Sequence, residues 1–466
     1  MDAGPLSAEG AKTILGIARL RTPPRPTRPV KISLKSIVSS PVVIAIVAYL
    51  VRIGFLIHAH QIVHNTVRND LPFGYELGAV ARSIAAGEGF SSPLRWFKTG
   101  PTAWFGPIYP YLAAGVFKLF GIYSLSSLLV LQTLNCAFSA LTCIPIYLIG
   151  KRSFGNGVGS CAAWLWVILP SAVLFPILWI WDTSLSALWM ALILYATLRL
   201  SDSARTVDWM GYGALCAVGA LINPSLVAVL PALGIWLALQ LRKRALPWLR
   251  VCAVAGFVFV AGISPWTIRN YVVFHKLIPL RSNFGLELWL GNNPGTVDND
   301  SWDEHPNDDL KEGLKYKQLG ETTYMDQKLH EATAYMRAQP AHDAVLIYHR
   351  FISTWLETWD PIQDSWATAS LFARMEQVID VLYTILALLG AFFASRTKNR
   401  DLIPYVAVLF FFPLVFYFTH ASLRYRFPMD PIMIVLAANG IFSLGALAVA
   451  KWRGLHAPAL ASRTPV

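Results

Sequence analysis

The sequence predicts an all-α polytopic membrane protein, built as a bundle of about ten transmembrane helices. Of its 466 residues, 55% are hydrophobic and only 14% are charged, whereas a soluble domain carries roughly 45–50% and about 25%. The apolar residues form runs of roughly 20, the length that crosses a bilayer. The short polar breaks between these runs are basic on one side of the predicted membrane. Together these features exclude a soluble enzyme, a disordered chain and a disulfide-stapled scaffold.

The predicted spans follow one another with short polar breaks. They lie near 38–58, 124–149, 157–176, 180–199, 210–223, 225–240, 251–267, 374–395, 402–419 and 429–450. The first apolar run is too long and too far from the N-terminus for a cleaved signal peptide. Residues 1–37, which are rich in Pro, Lys and Arg, are therefore predicted to be a cytoplasmic basic arm.

The distribution of charge supports one topology. With the N-terminus inside, the inside segments hold 21 of the 39 Lys and Arg residues but only 5 of the 27 Asp and Glu residues. Short inside loops rich in Lys and Arg satisfy the positive-inside rule. We therefore expect both termini in the cytoplasm, with 451–466 as a cytoplasmic tail. The net charge of +12 then reflects topology and contacts with membrane lipids, not a nucleic-acid partner.

Two segments are too polar for the bilayer, and both fall outside. The first outer loop, 59–123, lies within an N-terminal transmembrane module of residues 38–267. A second outer segment, 268–373, precedes the C-terminal transmembrane helices, 374–450. The apolar stretch 107–120 is shorter than a span and predicts a helix lying in the membrane interface. Residues 346–373 are aromatic and predict another interfacial helix.

Most of the unusual polar residues gather at the predicted outer face. Acids beside cations and aromatic residues suit a reaction on a lipid-linked anionic substrate, because a carboxylate can deprotonate a hydroxyl and guanidinium groups can hold a phosphate. The residues concerned are Asp70, Glu76, Arg82, Lys98, Asp182, Arg269, Arg281, Glu287, His420, Arg424 and Arg426. Arg52, inside the first span, is expected to form a structural ion pair with an acid in the bundle.

Several motifs resemble one family. GYELGAVARSIAAGEGF, PTAWFGPIYPYLAAGVFKLFG, ISPWTIRNYVVFHKLIPLRSNFGLELWLGNNPG and HASLRYRFPMDPIMIVLA occur in that order across residues 40–450. They look like the membrane glycosyltransferases of the GT-C fold, in particular the bacterial protein O-mannosyltransferase-like enzymes, which include the aminoarabinose-to-lipid-A transferase. The resemblance implies an inverting enzyme that moves a sugar from a polyprenyl-phosphate donor to a lipid, glycan or protein hydroxyl. It also implies that the reaction takes place at the outer face of a bacterial-type inner membrane.

The resemblance also implies a carboxylate base in the first outer loop. Relatives commonly place an Asp eight residues before the Ala of the helix motif, a position that is Phe73 here. The nearby acids are Glu76, our first candidate for the base, and Asp70, our second. Glu76 could instead be a charge that favours a helix N-terminus, and Asp70 a solvated turn residue.

The resemblance further implies that basic residues of the outer loops hold the donor phosphate. The candidates are Lys98, Arg269, Arg424, Arg426 and His420, with Asp182 as a secondary acid. The simpler alternatives are interfacial anchoring for the cations and a helix cap for Asp182.

No cofactor is predicted to be required, although a divalent cation is possible. The five Cys residues lie in apolar runs, and none has the spacing of a metal site. Three other functions remain open: a lipid-linked oligosaccharide ligase or polymerase, a transporter of lipid-linked sugars, and a non-catalytic assembly or sensor protein. A lipid-diphosphate donor would indicate the ligase. Ionisable groups at mid-membrane would indicate the transporter.

Overall fold

The computed structural model is helical almost throughout. Besides Met1, it describes residues 38–63, 73–297, 299–356 and 371–455. These residues form no β-strand, only an isolated bridge between Ser91 and Pro101. The predicted all-α class is confirmed. The N-terminal basic arm, most of the C-terminal tail and Asp70 lie outside the described residues.

The N-terminal part of the bundle contains eleven described α-helices. They are α1 (Pro41–Val63), α2 (Glu76–Ala85), α3 (Ile108–Phe120), α4 (Leu125–Leu141), α5 (Cys143–Phe154), α6 (Asn156–Ile168), α7 (Pro170–Leu178), α8 (Thr183–Leu200), α9 (Thr206–Ile222), α10 (Leu230–Lys243) and α11 (Trp248–Phe274). A 3₁₀ turn, Pro224–Val229, joins α9 to α10.

The remaining helices form a polar segment and the C-terminal spans. The polar segment contains α12 (Phe284–Gly291), α13 (Leu310–Leu319), α14 (Glu321–Ala338) and α15 (Pro340–Leu356). We call its described residues, 275–297 and 299–356, the polar cap. The C-terminal helices are α16 (Leu371–Arg396), α17 (Leu402–Phe411), α18 (Leu414–Phe418), α19 (Leu423–Arg426) and α20 (Asp430–Leu455).

Seven of the described helical stretches are long and apolar enough to cross a membrane. They are Pro41–His60, Leu125–Phe154, Thr183–Leu200, Pro224–Lys243, Trp248–Phe274, Gln377–Arg396 and Leu423–Trp452. The pair α6 and α7, bent by 44°, makes an eighth if it counts as one span. Two further predicted spans correspond to the shorter apolar helices Thr206–Ile222 and Leu402–Phe418. The predicted membrane bundle is therefore confirmed, but the number ten is not.

Arg52 of α1 stabilises the bend between α6 and α7. Its side chain is fully buried and donates hydrogen bonds to the carbonyls of Trp166 (3.0 Å) and Ala172 (3.0 Å). In a continuous helix these carbonyls would accept from residues 170 and 176, but both are prolines and have no N–H. Arg52 therefore replaces the two donors that the prolines remove. The expected ion pair with an acid is wrong, because the partners among the described residues are carbonyls and Ser139 Oγ (2.9 Å).

The polar cap is joined to the segment that follows α2 by a buried carboxylate. Glu321, at the start of α14, accepts hydrogen bonds from Ala103 N (2.7 Å), Ser282 Oγ (2.6 Å), Tyr316 OH (2.7 Å) and Thr102 Oγ1. A buried carboxylate is stable only when its oxygens are satisfied in this way. The contact places residues 102–106 against residues 281–287, and the candidate site lies between these two stretches.

Candidate active site

A cavity of about 340 Å³ lies where the polar cap meets the ends of the spans. Its wall brings together residues from distant parts of the chain. The ionisable ones are Glu76, Asp182, Arg281, Glu287, His305, His420 and Arg424, and aromatic side chains include Trp104, Phe105, Trp181, Phe284, Phe416 and Tyr425. Four of the predicted site residues, Glu76, Asp182, His420 and Arg424, are thus placed around one cavity.

Glu76 is delivered to the cavity by a tight turn before α2. Gly74 has φ +81°, and a Cβ there would lie 2.3 Å from the carbonyl oxygen of Ile180, so only glycine fits. Tyr75 follows with φ +46°, a conformation that costs a non-glycine residue free energy, and its ring stacks on Trp179. Phe73 is buried against the rings of Phe117 and Tyr123. Position 73, where the resemblance implied an acid, is therefore a core position, and the nearest described acid that reaches the cavity is Glu76.

The Glu76 carboxylate is buried and partly satisfied. Its Oε1 accepts from Asn307 Nδ2 at 2.7 Å and lies 3.4 Å from His305 Nε2. Desolvation raises the pKa of Glu76 above its ordinary value, while the Asn307 bond, the residue's own backbone N–H and the charge of Arg424 oppose that rise. A carboxylate with a raised pKa is a better proton acceptor when it is ionised.

A second acid, Glu287, is held by several partners. Arg281 Nη2 lies 3.2 Å from Glu287 Oε1, and Asn283 Nδ2 donates to the same oxygen. His420 Nε2 lies 3.6 Å from Oε2. Burial raises the pKa of Glu287, and the charge of Arg281 is the largest opposing effect. With a cation and an amide already on it, Glu287 is less available than Glu76 to receive a proton.

The two histidines of the cavity are neutral at pH 7. Burial lowers the pKa of His305 to about 4 and that of His420 to about 3. Tyr425 OH lies 3.0 Å from His420 Nε2 and accepts a bond from Arg424 Nη2 at 2.7 Å. The hydroxyl of Tyr425 therefore bridges the Arg424 guanidinium and the His420 ring.

Asp182 sits at the N-cap of α8 but does not cap it with its side chain. Its carboxylate instead accepts from Ser186 Oγ at 3.2 Å. Desolvation raises the pKa of Asp182, opposed by the Ser186 bond and by the charges of Arg281 and Arg424. The capping alternative does not describe this side chain, which faces the cavity.

Arg424 is the cation of the cavity that makes no ion pair with a carboxylate of the described residues. Its guanidinium lies 4.2 Å from the ring centre of Trp181 and 4.7 Å from that of Tyr425. Arg424, Trp181 and Tyr425 also line an adjoining cavity of about 370 Å³. The guanidinium is therefore held between aromatic faces, with its charge directed at the space between the two cavities.

Three other predicted cations lie away from this cavity. Lys98 is exposed and pairs with Glu88. Arg269 donates to the carbonyls of Thr102 (2.6 Å) and Phe90 (2.9 Å) and stacks on Trp266. Arg426 is buried in an ion-paired cluster of the C-terminal spans. The structure does not bring these three cations together with Arg424.

Sequence reasoning gave no role to three residues of the cavity. Arg281 and Glu287 stood out only as charged residues of the predicted outer face, and His305 was not singled out. His305 lies in the acidic stretch DEHPNDD, a composition that looks like solvated loop.

No group of three or more His, Cys, Asp or Glu side chains among the described residues is arranged to hold a metal ion.

Comparison with known proteins supports the fold that was expected. A family model described as dolichyl-phosphate-mannose-protein mannosyltransferase matches residues 103–268, less than half of the chain. No curated protein matches the chain significantly by sequence.

Solved structures match over most of the chain. The apo form of the Archaeoglobus fulgidus oligosaccharyltransferase matches with a TM-score of 0.53 and 13% identity, covering 91% of this chain and 52% of that one. The same enzyme tethered to an acceptor peptide with the NVT sequon matches with a TM-score of 0.50 at 13% identity, with the same coverage. ArnT from Cupriavidus metallidurans bound to undecaprenyl phosphate has a TM-score of 0.37 and 13% identity, covering 89% and 82%.

The oligosaccharyltransferase match defines the class of fold. The chain is an integral membrane protein whose helices follow the GT-C architecture, and it spans about half the length of the oligosaccharyltransferase. The predicted GT-C-like bundle is confirmed at the level of fold.

Proposed function

We propose that the chain is a membrane glycosyltransferase. It moves a sugar from a polyprenyl-phosphate-linked donor to a hydroxyl of a lipid, glycan or protein, with inversion at the sugar carbon. The proposal rests on one observation: the buried carboxylate of Glu76 and the guanidinium of Arg424 line the same cavity. Arg424 makes no ion pair with a carboxylate of the described residues. The family model for dolichyl-phosphate-mannose-protein mannosyltransferases supports the same reaction class.

Glu76 acts as the general base. It accepts the proton of the acceptor hydroxyl while the acceptor oxygen attacks the sugar carbon. The bond from that carbon to the phosphate oxygen breaks, and the polyprenyl phosphate leaves with the bonding electron pair. A positioned base of this kind contributes about 10²–10⁴-fold to the rate.

Arg424 binds the departing phosphate and offsets its developing charge. Its stacking on Trp181 and Tyr425 fixes the plane of the guanidinium without neutralising it. Arg281 contributes less, because its charge is already matched by Glu287. His420, neutral and bonded to Tyr425, orients that hydroxyl beside Arg424. Asp182 is a second acid of the same wall and holds polar groups of the substrate.

The cavity faces the outer side of the membrane in this proposal. Lys and Arg are concentrated in the short segments that join the spans at the ends away from the cavity. By the positive-inside rule, this supports a cytoplasmic location for those ends. The polyprenyl chain of the donor then lies in the bilayer beside the spans.

The test is a donor assay on the purified protein in detergent. Radiolabelled polyprenyl-phosphate sugars and one polyprenyl-diphosphate oligosaccharide are offered with a membrane extract, with and without a chelator. We expect transfer from a monophosphate donor. The diphosphate arm detects the ligase, and a loss of transfer with chelator would establish that a divalent cation takes part.

The variant Glu76→Gln locates the base. It should lower turnover by about 10²–10⁴-fold and change donor binding by less than about twofold, because the amide keeps the shape of the side chain. Glu88→Gln, an acid near the surface that pairs with Lys98, is the matched control and should retain full turnover. Full activity of Glu76→Gln would refute the assignment. Saturable donor binding without transfer by the native protein would favour a transporter or a non-catalytic role.

A further inference from the structure

We infer that His305 and Asn307 are positioning residues for Glu76, which fix its carboxylate through Oε1 and reserve Oε2 for the acceptor hydroxyl. This inference rests on the proposed role of Glu76 as the base. Both residues belong to the polar cap, more than 200 positions away in sequence, and both contact the same oxygen atom.

The orientation of the Asn307 amide is set by its neighbours. Its Oδ1 accepts from the backbone N–H of Arg95 at 2.9 Å, which leaves Nδ2 to donate to Glu76 Oε1 at 2.7 Å. The Asn307 backbone carbonyl accepts from Trp96 Nε1 at 3.0 Å. With the acceptor atom already used by a backbone donor, a flipped amide would place two oxygens face to face at Glu76.

The tautomer of His305 follows from a second backbone contact. The N–H of Asn307 donates to His305 Nδ1 at 3.1 Å, so Nδ1 carries the lone pair. The neutral ring then bears its proton on Nε2, which lies 3.4 Å from Glu76 Oε1. The ring of Trp104 packs beside the imidazole, with the two ring centres 6.0 Å apart.

The two carboxylate oxygens of Glu76 have different contacts. Oε1 accepts from the Asn307 amide and lies 3.4 Å from His305 Nε2, whereas no described side chain donates to Oε2. Fixing one oxygen removes rotation of the carboxylate as a degree of freedom and holds the other where an acceptor hydroxyl can reach it.

The charges around Glu76 come from several elements. Arg424 favours the ionised form, whereas Asp308 and burial favour the protonated form. Glu287, across the cavity, is close enough to be affected by the Glu76 charge. Among these groups, His305 and Asn307 are the ones in direct contact with the carboxylate, so removing them should make ionisation of Glu76 harder.

The experiment measures the protonation of Glu76 directly. The infrared band of its protonated carboxyl, identified by its loss in Glu76→Gln, is titrated against pH in reconstituted native protein and in variants. Asn307→Leu and His305→Leu should each move the midpoint upward by about one pH unit or more. His305→Gln, which keeps an N–H donor, should restore the midpoint to within about half a unit of the native value.

A buried asparagine elsewhere in the polar cap provides the matched control. Asn293 is fully buried and donates to the carbonyl of Trp289 at 3.0 Å. Asn293→Leu should leave the midpoint where it is. In the donor assay, Asn307→Leu and His305→Leu should lower kcat by about tenfold or more at neutral pH and change donor affinity less than about threefold.

The two proposals fail in different ways. If Glu76→Gln transfers sugar normally, the base is misassigned, but the infrared midpoints still report whether the two residues hold its carboxylate. Unchanged midpoints in both leucine variants would overturn the positioning role, whatever their activity. If Asn307→Leu does not fold, the difference between His305→Leu and His305→Gln gives the answer. If His305→Leu does not fold, the difference between Asn307→Leu and Asn293→Leu gives it.

Discussion

Arg424 and Arg426 are two residues apart in sequence, but one contacts aromatic rings and the other contacts carboxylates. Arg424 lies between aromatic rings at the cavity and makes no ion pair with a described carboxylate. Arg426 is buried among the C-terminal spans, where its Nε lies 3.1 Å from Asp430 Oδ1 and its Nη2 lies 3.4 Å from Asp380 Oδ1. It also donates to Tyr383 OH and to the carbonyl of Thr354.

The difference separates two uses of a buried cation. A guanidinium that is ion-paired with buried carboxylates stabilises the fold, because removing it would leave those carboxylates uncompensated in a low dielectric, at a cost of several kcal/mol. A guanidinium stacked on rings keeps its charge for a ligand. The contrast assigns Arg426 to stability and supports the proposal that Arg424 binds the donor phosphate.

The largest effect is expected from Arg426. Arg426→Met leaves Asp380 and Asp430 without their cation, and both are almost completely buried. We expect a loss of about 3–5 kcal/mol of stability, measured as a fall in yield and in the thermal midpoint in detergent. The triple variant that also carries Asp380→Asn and Asp430→Asn should recover most of it. A stable Arg426→Met protein that has lost donor binding would break the contrast.

Arg424 should show the reverse pattern. Arg424→Gln is expected to lower kcat/KM by about 100-fold, equivalent to about 2.7 kcal/mol, while the thermal midpoint changes by no more than a few degrees. The measurement combines the donor assay with thermal unfolding of the same preparation. Unfolding of Arg424→Gln to the extent of Arg426→Met would show that the aromatic cage is structural.

A third prediction extends the contrast to the histidines. The pKa of His420 falls from its ordinary 6.5 to about 3, so only the unfolded chain takes up its proton as the pH drops. The neutral ring therefore costs no stability above about pH 6.5, and the free energy of unfolding falls as the pH drops toward 3. The loss is about 2 kcal/mol at pH 5. Burial raises the pKa of Glu76 and Glu287, and these acids act in the opposite direction.

The histidine contribution is isolated by comparing variants. His420→Gln should narrow the gap between the thermal midpoints at pH 7 and pH 5, because the amide does not titrate. A gap equal to that of the native protein would mean that the ring is protonated in the folded state.

The smallest effect is expected at Lys98. Its side chain is 77% exposed and pairs with Glu88 at the surface, and such pairs contribute little. Lys98→Ala should change the rate of transfer by less than about twofold and the thermal midpoint by less than about two degrees. A large loss of donor affinity would restore the phosphate role that its sequence position suggested.

The spans were predictable because each is a local run of apolar residues, and so was the arrival of Glu76 at the start of α2. The split between the two arginines was not. An α-helix turns about 100° per residue, so residues two apart in the turn Leu423–Arg426 point to opposite sides. Spacing alone suggested instead that they act together.

The residues that contact Glu76 could not be predicted from the sequence either. Asn307 and His305 meet it across 231 and 229 positions, and nothing local in an acidic stretch identifies such contacts. The α6–α7 bend was hidden for a similar reason, because the donor that compensates for its prolines comes from another helix.

Arg52 has a consequence for biosynthesis. Its acceptor Trp166 is 114 residues further along the chain, and the ribosome adds roughly 5–20 residues per second. Roughly 6–23 s therefore pass between the synthesis of Arg52 and that of the Trp166 carbonyl that accepts from it. During that interval the charge has to be hydrated at the insertion machinery or at the lipid headgroups. Replacing Pro170 and Pro176 with alanine would add N–H donors that compete with Arg52 for the carbonyls of Trp166 and Ala172. The guanidinium would then have fewer acceptors inside the bundle after insertion.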